Sequence, residues 1–140
     1  MKRMKLQAGS NLVEFAIVLP LLLTLVFGII DFSLALYDKA VITNAAREGA
    51  RAGVVFRSPQ PTDDQIAVDA ATKYCSTYLV TFAASGLSIT ANWTETIANG
   101  SNLVRDSGDT LTVAVNYPYY FLIPGLGSLN LSATSVMRFE

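Results

Sequence analysis

Gly9 and Glu14 stand just ahead of an apolar run, residues 15–30, that contains no charged side chain. A carboxylate on the threshold of such a run has two chemical uses. It can reach back to a polar headgroup layer at small cost. Alternatively, it can pair with a cation where an unpaired charge is expensive. Catalytic uses of other residues are scarce. With no histidine and a single cysteine, Cys75, the chain lacks the material for a zinc-type cluster, a Ser-His-Asp triad or an internal disulfide. Lys73, Asp69 and the many Ser and Thr residues form no recognised catalytic spacing. Asp63, Asp64 and Asp69 lack the spacing of a calcium loop and suit the positive end of a helix dipole better. No cofactor and no metal are expected, and the chain reads as a binder, not an enzyme. Cys75 reads most simply as a small buried apolar residue, with an intermolecular bond or a reactive thiol as the alternatives.

The elements around Glu14 set its meaning. Residues 12–36 make about 25 residues of apolar helix, roughly 37 Å at ~1.5 Å per residue, enough to cross a hydrocarbon core of about 30 Å. Lys2, Arg3 and Lys5 precede the run, whereas Asp31 and Asp38 follow it, so the positive-inside rule puts the N-terminus in the cytoplasm and everything from about Tyr37 outside. A cleaved secretory signal is the competing reading. The run is too long for it, Pro20 interrupts it, and no small-x-small site closes it. Pro20 removes the amide donor to Ala16, so a kink or loosened turn is expected there. Asp31 reads as an interfacial acid, with an intersubunit hydrogen bond as the alternative. Ten Lys and Arg against eleven Asp and Glu give no basic field, and nucleic acid is not an expected partner.

No proline or turn cluster interrupts the chain between Asp31 and Val55, so the helix is expected to run on to about Val55, roughly 69 Å from Ser10. Ala46, Gly49, Ala50 and Gly53 fall on one face, small enough for another backbone or a sheet to approach closely. That approach could come from the chain's own domain, from a neighbour, or from both. Arg47 and Arg51 lie on the other side, with Glu48 placed to pair with Arg51.

Beyond the breaker SPQPTDDQ, a second helix is expected over residues 62–82, capped by Thr62 or Asp63, with Ile66, Ala70 and Leu79 at helical spacing. The period then changes to two. Leu87, Ile89, Ala91 and Trp93, then Leu111, Val113, Val115 and Tyr117, then Leu129, Leu131 and Ala133 alternate with other residues. The expected fold class is α+β: a long N-terminal helix, a second helix and a three-stranded antiparallel sheet with one face on the helices. The apolar stretch PYYFLIPGLG is expected to cover a sheet edge or to serve as a contact surface. NWT, NGS and NLS match glycosylation sequons, but a domain rich in Asn, Ser and Thr produces these by composition.

A short basic leader, a Gly, four residues, Glu-Phe and a long apolar helix resemble the class III signal of type IV pilins. That resemblance implies cleavage after Gly9 by a prepilin peptidase on the cytoplasmic side. Ser10 then becomes the N-terminus, and Glu14 with Phe15 forms the assembly signal. Losing Lys2, Arg3 and Lys5 leaves seven basic side chains against eleven acidic ones. The new amine at Ser10 would pair with Glu14 of a neighbouring subunit. A narrower resemblance rests on Val13-Glu14-Phe15-Ala16, Leu19-Pro20, residues 28–32 (GIIDF) and residues 44–51 (NAAREGAR). In this order they resemble the N-terminal signature of TadE-like proteins, pseudopilins of the tight adherence (Flp pilus) system. The ending ATSVMRFE is similar to the close of such domains.

The resemblance implies a leader over residues 1–9, a long helix over 10–55 and an extracytoplasmic α+β domain over 56–140. It also implies a single-pass protein of a bacterial inner membrane that can enter an extracellular pilus. Implied partners are membrane lipid, the major Flp pilin, other pseudopilins, the prepilin peptidase and the inner-membrane assembly platform. The implied outcome is adherence and biofilm formation. The alternative is an uncleaved single-pass anchor carrying an extracytoplasmic binding or assembly module.

Overall fold

The computed structural model describes residues 4–55, 64–80, 86–95, 107–123 and 125–140. Helix α1 runs from Met4 to Gly53, 50 residues, or about 75 Å at ~1.5 Å per residue. It therefore begins before Ser10. The residues MKLQA carry no breaker, and most are strong helix formers, so nothing stops the helix at the start of the apolar run. It also passes Pro20 without a break. There the Thr24 hydroxyl donates to the Pro20 carbonyl at 2.8 Å, and the Ser33 hydroxyl does the same to Ile29 at 2.7 Å. The two halves of α1 differ in surroundings. From Asn11 to Ile30 the side chains stand exposed, Gly28 alone being half-buried, whereas from Asp31 onward one face is buried.

That face follows a four-three spacing: Asp31, Ala35, Asp38, Ile42, Ala45 and Gly49 are all buried, as expected when one stripe of a 3.6-residue helix meets a domain. Helix α2, Gln65–Tyr78, lies against it. Asp64 holds the N-cap position without a side-chain capping bond. The C-terminal end comes at Tyr78 because Leu79 turns extended (φ −73°, ψ 131°), its amide still reaching the Cys75 carbonyl at 2.9 Å. The expected caps Thr62 and Asp63, the expected end at Phe82 and the leader charges Lys2 and Arg3 lie outside the described residues. The inward face of α2 is Ala67, Ala71 and Cys75, whereas Ile66, Ala70 and Leu79 are only half-buried.

Strands β1 (Ser88–Thr94), β2 (Thr110–Tyr120) and β3 (Ser128–Arg138) form one antiparallel sheet in the order β1-β2-β3. In the central strand, Leu111, Val113, Val115, Tyr117 and Tyr119 all face the helices and are buried. Tyr117 pairs with Leu131, and Leu111 sits between Trp93 and Met137. At the end of the sheet farthest from the apolar half of α1, Phe139 and Gly108–Asp109 close the edge through two backbone hydrogen bonds of 2.8 and 2.9 Å. Trp93 meets the Phe139 ring edge-on.

Candidate assembly surface

The apolar half of α1 carries the residues singled out for processing and assembly. Gly9 and Ser10 lie within its helical backbone. Glu14 is exposed, and Phe15 beside it is 64 % exposed. Around them Leu12, Val13, Ile17, Val18 and Leu21 point outward with more than half their surface bare. This is a cylinder of side chains for which water is the wrong solvent. Among the described residues, one helix is long and apolar enough to cross a membrane, and its most apolar stretch has no part buried inside the protein. A core helix of a soluble domain would be covered instead.

The small-residue face does different work. Ala46, Gly49 and Ala50 are buried and Gly53 is half-buried, all turned toward the chain's own α2 and β2. A β-carbon added at Gly49 would stand 2.7 Å from the Ala67 carbonyl oxygen and 3.0 Å from the Ala71 methyl. One added at Gly53 would collide with the Leu111 side chain. Glycine is thus used where a backbone carbonyl, at Gly49, or a leucine side chain, at Gly53, leaves no room for a β-carbon. Glu48 and Arg51 do pair, at 3.4 Å, but on the exposed side where such a pair adds little stability. Lys39 Nζ donates to the Ser132 carbonyl of β3, a further tie between α1 and the sheet.

Two acids on α1 hold the domain in ways their positions in the sequence did not suggest. Asp31 is 2 % exposed. Its Oδ1 accepts the Tyr119 hydroxyl at 2.7 Å, and its Oδ2 accepts the Leu122 and Ile123 amides at 2.9 and 3.3 Å. It is an intrachain anchor, and neither expected reading, an interfacial acid or an intersubunit hydrogen bond, had supplied these partners. Burial, then the hydrogen bond and charge of Asp31, raise the Tyr119 phenol well above its ordinary pKa. One heptad further on, Asp38 is fully buried and accepts the Val80 amide at 3.0 Å. Burial raises its carboxyl pKa, with the Val80 bond pulling the other way. Burial, and then the nearby Asp38 charge, likewise raise the Tyr117 phenol. The signal available in sequence was the spacing itself, since Asp31 and Asp38 share a helix face with Ala35 and Ile42.

The stretch expected to cover a sheet edge or to serve as a contact surface bends from β2 onto α1. Tyr119 is buried, Phe121 and Ile123 are half-buried, and Leu122 and Leu126 are exposed. Cys75 is 1 % exposed, and burial pushes its thiol pKa to about 11, which suits a packing residue and not a nucleophile. Among the described residues, no group of three His, Cys, Asp or Glu is gathered that could hold a metal ion.

Against known proteins, residues 9–51 match the family model described as TadE-like protein. No curated protein and no solved structure matches the chain. The matched stretch covers both halves of α1, from the proposed processing site to the small-residue face.

Proposed function

We propose, from the match of residues 9–51 to the TadE-like family model, a minor pilin-like subunit of the tight adherence system, inserted in the inner membrane, clipped after Gly9 and drawn into a Flp-type pilus. The observation that carries this reading is the uncovered apolar half of α1 headed by Gly9, Ser10, Glu14 and Phe15. In the membrane, lipid covers that cylinder; in a filament, the same surface packs on like helices of other subunits. Cleavage exposes the Ser10 amine, and Glu14 of an adjoining subunit supplies the carboxylate that such a cation needs in a low-dielectric environment. The leader's basic residues hold the N-terminus in the cytoplasm, and the α+β domain lies outside. The partners are then the major Flp pilin, companion pseudopilins, the prepilin peptidase and the assembly platform. The subunit contributes to adherence and biofilm growth by assembly alone.

The second reading, a permanent anchor that keeps its leader, draws on the continuity of α1 across Gly9 and Ser10, where a peptidase would first have to unwind the helix. Intact mass and N-terminal peptide sequencing of the protein from its native membranes separate the two. A chain beginning at Ser10 is expected. A chain still beginning at Met1 with the peptidase present and active would leave only the anchor.

A further inference from the structure

Residues 110–137 contain no charged side chain, although they take in β2, the loop that follows it and β3 up to Met137. That loop does not face open water at the end of the domain. It lies against the apolar half of α1, where Leu122 and Ile123 stand opposite Leu23, Thr24 and Phe27 across a groove of about 320 Å³. Phe27 is four residues and Leu23 eight residues before Asp31, so the groove reaches about 6 to 12 Å toward the middle of the span from Asp31. A bilayer that covers α1 to the level of Asp31 must therefore meet the loop as well.

Four amides of the loop have partners within the protein. Irregular backbone is costly in hydrocarbon because each unpaired amide lacks water. Here the Leu122 and Ile123 amides both donate to the Asp31 carboxylate, the Phe121 amide reaches the Gly127 carbonyl, and the Leu126 amide reaches the Ile123 carbonyl. Outward, the loop shows Leu122 (51 % exposed) and Leu126 (56 %), and the end of β2 beside it shows the ring of Tyr120 (47 %). These side chains gain from lipid contact, and a tyrosine suits the headgroup boundary.

We propose that the β2–β3 loop is a second membrane contact, inserted beside α1 into the leaflet on the domain's side, with Leu122 and Leu126 among the acyl chains and Asp31 serving as the internal acceptor for its backbone. The outer domain is thereby seated on the bilayer at a fixed height and rotation instead of swinging on its helix. This inference rests on α1 spanning the membrane.

The test uses the full chain in vesicles of phosphatidylcholine with brominated acyl chains, at high lipid excess. Single probes are placed by Leu122→Cys or Leu126→Cys in a Cys75→Ala background and labelled with an environment-sensitive fluorophore. Leu21→Cys marks the span, and Val136→Cys marks the part of the sheet away from the loop. Probes at 122 and 126 are expected to be blue-shifted and quenched like the probe at 21, with the probe at 136 unaffected. Quenching at 21 with water-like emission at 122 and 126 overturns the loop contact while leaving the span intact. Blue-shifted but unquenched probes at 122 and 126 would put a protein, a second copy included, in the groove and also overturn it. An unquenched probe at 21 would remove the span itself, and the loop contact with it.

Discussion

Asp38 sits fully buried on α1, with one carboxylate oxygen accepting the Val80 amide and the other lacking a hydrogen-bond partner among the described residues. Burial holds its pKa above the ordinary 3.8, so between those two values the native state binds a proton that the unfolded chain has lost. The stability this residue contributes is then complete below 3.8 and is lost as pH rises through the raised value. Asp38→Asn keeps an oxygen for the Val80 amide and removes the buried charge. Melting curves in detergent from about pH 4 to about pH 7 should show the wild type losing stability relative to the variant as pH rises. Parallel curves would mean that the buried carboxyl does not titrate in this window. Spacing put Asp31 and Asp38 on one helix face with Ala35 and Ile42, but it did not identify the groups that would meet them there. A carboxylate on a helix is ordinarily solvated, and the groups that satisfy Asp31 and Asp38 come from 42 to 92 residues further along the chain. Local sequence carries no record of such partners.

At the scale of elements, the strands were readable because a period of two leaves little choice about which side of a sheet faces inward, and β2 kept every expected inward residue. Helix α2 was harder. Ile66, Ala67, Val68, Ala70 and Ala71 offer apolar surface on several sides, so the buried side is decided by what α1 presents, not by the helix's own pattern. Because α1 presents glycine and alanine, the two backbones come together at Ala67 and Ala71. Gly49→Ala tests this. A better helix former at that position would add about 1 kcal/mol in an open helix. Here the new methyl meets a backbone carbonyl that cannot rotate away, and overpacking of this kind costs about 1–3 kcal/mol. A net loss of stability is expected, with faster amide exchange along α2. Gly28→Ala, with nothing within 4 Å of the added carbon, should show no such loss. If the two variants melt alike, the close packing of α1 on α2 is not a stability determinant.

The whole molecule divides its long helix between two environments: the domain covers one face from Asp31 onward, and nothing in the described chain covers residues 11–30 apart from the loop beside Leu23 and Phe27. Under the proposed function, assembly is addressed to the bare half, because the small-residue face that could have served a neighbour is already occupied by α2 and β2. Glu14 is the acidic group within that bare half, and its proposed partner is an amine created only by cleavage. Glu14→Ala removes an acid from an apolar helix, so insertion into the membrane should be undiminished. Breaking one side of a buried ion pair costs about 3–5 kcal/mol, enough to lower recovery in a filament by on the order of tenfold or more. Glu14→Gln separates charge from hydrogen bonding: if the charge is what sets the register, Gln should fail nearly as Ala does. The measurement is the amount of each variant in sheared pili relative to its amount in the membrane fraction. Equal recovery of wild type and Glu14→Ala would show that subunits dock through apolar contact alone and that Glu14 merely reaches for the headgroups.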